Sequence, residues 1–107
     1  MALLTLAVPL GTMSLAYSTA AEAAPKVHTI VMNKMAFGPA PAGLKAGDVI
    51  LWVNKDLFRH SATARDKSFD VDLAAGKSAR TIVRKQGMIS YLCRYHPGMK
   101  GQLAVAK

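Results

Sequence analysis

Residues 87–106 read "GMISYLCRYHPGMKGQLAVA", and the reading of this stretch decides the fold. From Gly87 to Cys93 the pattern suits an extended strand. Its period of two puts Ile89, Tyr91 and Cys93 on one face and Met88, Ser90 and Leu92 on the other. Pro97 and Gly98 then break the run, and "GQLAVA" (101–106) resumes it. The stretch therefore predicts a strand–loop–strand hairpin. Cys93 closes its first strand, and His96 and Met99 lie in the loop.

Moving outward, no helical period of useful length appears after residue 25. Short β-rich runs recur instead. "VHTIVM" (27–32), "VILWVN" (49–54), "SFDVDL" (68–73) and "ARTIVRK" (79–85) read as strands, rich in β-branched residues and including Trp52. "GPAPAG" (38–43), "AGD" (46–48) and "AAGKS" (74–78) read as connections. Strands at this spacing imply an all-β chain, an antiparallel sandwich or small barrel.

The bulk numbers suit one small domain. The chain has 107 residues, 51% of them apolar, with 14 Lys and Arg against 6 Asp and Glu for a formal charge of +8. That excess favours an anionic partner or surface. Residues 1–23 differ in kind. They hold no Lys or Arg, carry a short apolar run broken by Pro9 and Gly11, and end in Ala21-Glu22-Ala23 at the spacing of a signal-peptidase site. The run is marginal for a spanning helix. A cleaved signal peptide over 1–23 is the expectation, leaving residues 24–107 as an exported, periplasmic domain, although the basic n-region is missing; a retained anchor is the alternative.

Export bears on the one cysteine. An oxidising compartment favours disulfides in small domains, and a lone Cys93 cannot form one internally. It is then buried and inert, exposed and oxidisable, or occupied by a ligand. Its neighbours favour the last. His96 and Met99 share its loop, and His60, after the strand "VILWVN" and the turn "KDLFR", is the better candidate for a second imidazole. His28, inside the first strand, reads as a solvent-facing or edge residue.

One thiolate, two imidazoles and a weak thioether form a soft-to-borderline donor set that selects copper over hard cations, in the arrangement of an electron-transfer copper centre. Each residue alone has an ordinary reading. Cys93 could be a small buried hydrophobe, His96 an idle loop residue, and Met99 core, as Met32, Met35 and Met88 could be. The combination is far less accidental.

These residues resemble a cupredoxin, most closely the amicyanin group of small blue copper proteins. "LKAGDVILWVNKD" (44–56) is similar to the segment leading to the family's first histidine ligand, and "GMISYLCRYHPGMKGQLAV" (87–105) to its closing hairpin. The short Cys–His and His–Met spacings are those of amicyanin rather than plastocyanin or pseudoazurin. The resemblance implies an antiparallel Greek-key β-sandwich of about seven to eight short strands. It implies type 1 copper ligation by His60, Cys93, His96 and Met99. The chain departs from the family at Ser61, where Asn is common and a hydroxyl could brace the ligand loop instead. It departs again at Tyr95 and Gly98, where amicyanins have Pro and Phe, and in a shortened stretch between His60 and Cys93.

The function implied is a soluble one-electron carrier, not an enzyme, binding one copper ion per chain and cycling Cu(II)/Cu(I). His96 would be the solvent-facing edge, collared by Pro97, Gly98 and Met99. Arg59, Arg94 and Lys100 would add positive charge there and steer redox partner proteins with an acidic docking surface. The carrier would be a monomer, without nucleic acid and without stable membrane insertion after cleavage. The competing reading is a periplasmic copper-trafficking or copper-resistance protein. A Cys–His thiol hydrolase is disfavoured because no third orienting group is evident and Met99 would have no purpose. Nucleic-acid binding is permitted by charge but disfavoured by export and few aromatics.

Overall fold

The computed structural model describes residues 2–15 and 24–107. The expected cleavage motif, Ala21 to Ala23, lies outside the described residues. Residues 2–15 form no helix or strand, and their apolar side chains are exposed. Among the described residues no helix is long and apolar enough to cross a membrane.

Eight strands follow: β1 (Val27–Asn33), β2 (Ala36–Phe37), β3 (Val49–Asn54), β4 (His60–Ala64), β5 (Asp70–Leu73), β6 (Ser78–Ile82), β7 (Gly87–Leu92) and β8 (Lys100–Val105). They form two four-stranded sheets, ordered β2-β1-β3-β6 and β5-β4-β7-β8. The expected all-β sandwich is the observed architecture, with one correction to its antiparallel character. β1 and β3 pair in parallel, from Val27 opposite Val49 to Met32 opposite Asn54. The connection explains the direction. After the β1–β2 hairpin the chain runs back, and Leu44 to Ala46 bond with Ala106 beside the end of β8. It thus returns to the end where β1 began before β3 starts.

Two elements escaped the sequence reading. The β1–β2 hairpin turns through Lys34 and Met35, both left-handed at φ 52° and 60°. A two-residue turn of this kind is normally announced by Asn-Gly, and Lys-Met does not announce it. Strand β4, "HSATA", has no apolar alternation, yet it is central in its sheet, between β5 and β7.

The core lies between the sheets. β3 buries Ile50, Trp52 and Asn54 at alternate positions, and β7 buries Ile89 and Tyr91. Cys93 continues that row, fully buried, while Met88 points outward, as the alternation predicts. Trp52 and Tyr91 meet edge-on at 5.3 Å, with Phe37 and Phe69 beside them. The Trp52 indole N–H donates to Thr81 Oγ1 at 3.0 Å, so the buried donor is satisfied. Of the methionines offered as core, Met32 is buried, but Met35 and Met88 are exposed, because the hairpin turn and the outer face of β7 carry them.

Candidate metal centre

Two segments bring the predicted residues together at one end of the sandwich. His60, which follows the turn at 55–59, opens β4. Cys93 follows β7, and the chain from there to β8 is a tight loop. Within it the Met99 N–H donates to the His96 carbonyl at 2.8 Å, and the Cys93 N–H donates to the Met99 carbonyl at 3.0 Å. Sheet pairing fixes both ends of this loop, from Leu92 opposite Lys100 inward.

Cys93 Sγ lies 3.8 Å from His60 Nδ1 and 3.7 Å from His96 Nδ1. The three ligand atoms all fall within 4.8 Å of one another. His60 and Cys93 are buried and His96 is half-buried; the imidazole rings meet edge-on at 5.1 Å. Met99 is also buried, at the closing end of the same loop. His28 is elsewhere. It is half-buried in β1, beyond the two residues that pair with β2, and its Nε2 lies 3.0 Å from Asp48 Oδ2, a partner that sequence proximity could not reveal.

A further set of residues holds this arrangement. The second nitrogen of His60, Nε2, lies 2.9 Å from Asp56 Oδ2, which also accepts the Met35 N–H at 2.9 Å. Those contacts hold the Asp56 carboxyl below the usual carboxylate range, the Met35 N–H contributing most. Asp56 is held in turn through Asn54, whose Oδ1 accepts the Asp56 N–H and whose Nδ2 donates to the carbonyls of Phe58, Leu73 and Ala74. A carboxylate on the outer nitrogen of a ligating histidine fixes ring orientation and raises donor strength. Sequence reasoning missed Asp56, although its position four residues before His60 was a usable signal.

Around the thiol, burial pushes the Cys93 pKa up. The Ser61 N–H at 3.4 Å and both imidazoles outweigh this and bring it down to about 6. A thiol so placed is readily a thiolate at neutral pH. Ser61 does brace the loop: its hydroxyl accepts the Arg94 N–H at 2.8 Å. Of the three cations expected beside the site, Arg59 and Arg94 are paired with carboxylates. Arg59 pairs with Asp72 at 2.9 Å, and Arg94 with Asp72 at 3.3 Å and Asp70 at 3.4 Å.

The donor set contains a thiol and two imidazoles and no carboxylate, which suits copper and disfavours magnesium or calcium. Small β-sandwiches with such a cluster at one end form a class of copper proteins. The chain belongs to the cupredoxin-like domain family, whose model matches residues 5–105. The fold recurs in the Cu(I) form of an amicyanin carrying a single methionine-to-alanine substitution (TM-score 0.65, 21% identity, 79% of this chain and 87% of that one). It recurs also in a purple cupredoxin from Nitrosopumilus maritimus (0.60, 20%, 73% and 98%). A copper-containing nitrite reductase from Thermus scotoductus matches at 29% identity and TM-score 0.65 over 74% of this chain, which spans only 22% of the reductase. No curated protein sequence matched. Family, fold and donor set agree on copper as the cofactor.

Proposed function

We propose that this protein is an exported, soluble electron carrier that holds one copper ion through His60, Cys93, His96 and Met99 and exchanges electrons with partner proteins. The observation that carries the reading is the convergence of His60 Nδ1, Cys93 Sγ and His96 Nδ1 within 4.8 Å on a cupredoxin fold. Copper, when bound, supplies a reversible one-electron couple.

The residues support that use. Asp56 orients His60, the Ser61 N–H stabilises negative charge on Cys93, and the sheet-anchored loop resists rearrangement. His96 alone of the three is not fully buried, so its ring is the short route between the site and a docked partner. Exposed Leu57, Phe58 and Tyr95 belong to the same end, and the Phe58 ring lies 6.3 Å from that of His96. A carrier needs no substrate cleft, and the reductase activity of the Thermus relative belongs to a much longer chain. Trafficking would be favoured by exposed methionines gathered near the site. Met32 is instead core and Met88 lies on the outer face of β7, so Met35, which reaches Asp56 through its N–H, is not part of a methionine cluster.

Addition of Cu(II) to the apoprotein spanning residues 24–107 should give intense thiolate-to-copper charge-transfer colour and a reversible redox couple. Cys93→Ser should remain colourless. Colour retained in that variant, or absent from the wild type, overturns the reading.

A further inference from the structure

Asp72, on the edge strand β5, touches no candidate ligand, yet it meets residues flanking three of them. Its Oδ1 accepts from Arg59 Nη1 at 2.9 Å, and Arg59 precedes His60. Its Oδ2 accepts from Arg94 Nη2 at 3.3 Å, and Arg94 follows Cys93. The same oxygen accepts the Tyr95 hydroxyl, and Tyr95 precedes His96. In the sheet, Asp72 stands opposite Ser61, whose N–H and hydroxyl hold Cys93 and Arg94. An isolated exposed ion pair contributes little. Here, however, one carboxylate gathers donors from both ligand-bearing segments, and Asp70 takes a second contact from Arg94 at 3.4 Å.

We propose that Asp72 is a positioning residue for the copper site, tying the chain before His60 and the 93–99 loop to β5 and thereby fixing how His96 and Cys93 are presented to the metal. The inference rests on the copper reading for its electronic consequence, but its mechanical part concerns the protein alone. Tyr95 is the arm nearest His96. Its ring is partly exposed, and its hydroxyl is nonetheless anchored. The Tyr95 and Arg59 contacts also hold the Asp72 carboxyl below the usual range, as expected of a carboxylate that serves several donors. The clasp has a charge consequence as well: Arg59 and Arg94 meet the site already partly neutralised.

Two variants test this. Tyr95→Phe removes one hydroxyl at a partly exposed position without changing charge, and Asp72→Asn removes the charge while keeping the shape. In the apoprotein, amide hydrogen exchange at Arg94 and Met99 should accelerate in both variants by roughly tenfold, as expected for a locally opened segment, while β1 and β3 amides keep their rates. In the Cu(II)-loaded protein, both variants should shift the charge-transfer band and the copper hyperfine splitting, and Asp72→Asn should also raise the potential. Unchanged exchange and unchanged spectra, even with a lowered Tm, would reduce Asp72 to a surface contact and overturn the proposal. A colourless wild type with accelerated loop exchange in the variants would instead overturn the copper reading and leave the clasp standing.

Discussion

At the scale of single residues, function concentrates in atoms whose partners come from distant segments. Cys93, His96 and Met99 were legible because they share one loop of the sequence. His60 was legible as a type of donor, but its strand was not. Asp56 left only its position four residues before His60 as a signal, and Asp72 left none, since neither carries a motif and each matters through what it touches. The same limit applied to charge. Arg94 reads as a free cation beside a ligand, yet it faces Asp70 and Asp72. Replacing Arg94 with Glu removes a positive charge and adds a negative one among those carboxylates, which favours the oxidised site. The potential should fall by tens of millivolts, the scale of a unit charge acting through a solvent-screened protein surface. Voltammetry of Arg94→Glu checks this, and an unchanged potential would show that the surrounding pairs screen the site.

At the scale of elements, the sandwich depends on close approaches that a sequence pattern cannot show. Gly101 on β8 stands opposite Tyr91 on β7, and a Cβ there would lie 2.3 Å from the Tyr91 ring and hydroxyl. Tyr91 is buried against Trp52 and Phe69 and cannot move aside. Gly101→Ala should therefore destabilise the fold by about 1–3 kcal/mol through overpacking, measured by denaturant unfolding. At the other end of the sandwich, Asp48 accepts the Lys26 and Lys45 N–H groups and meets His28, tying the entry to β1 to the turn before β3. These contacts, the Lys26 N–H foremost, lower its pKa from 3.8 to about 2. A carboxylate whose folded value is depressed stabilises the fold above its unfolded pKa and ceases to do so as pH falls through the folded value. Stability should thus decline between about pH 4 and pH 2, and Asp48→Asn should flatten that limb in acid titrations followed by circular dichroism.

At the scale of the whole molecule, the formal charge is +8, and among the described residues Arg59, Lys85 and Arg94 are the Lys and Arg held in ion pairs, while the His96 end combines exposed apolar side chains with balanced pairs. On the proposed carrier reading, long-range steering and short-range docking would be separate: distributed Lys and Arg would attract an acidic partner, and the apolar rim would seat it. The rate of electron transfer to an acidic partner should fall as salt rises, since screening shortens to about 8 Å at physiological ionic strength. Stopped-flow measurements across ionic strength test this, and a flat profile would remove steering from the account.

The sequence by itself determined the all-β class, the period-two faces of β7, and the placing of Cys93, His96 and Met99 in one loop. Those features are local, written in alternation, turn residues and short spacing. The tertiary structure alone decided that β1 and β3 run parallel, that "HSATA" is a central strand, and that Asp56 and Asp72 hold the site. Each of these depends on pairing between segments far apart in the chain, where hydrogen-bond partners and buried faces exist only once the two sheets have closed on each other.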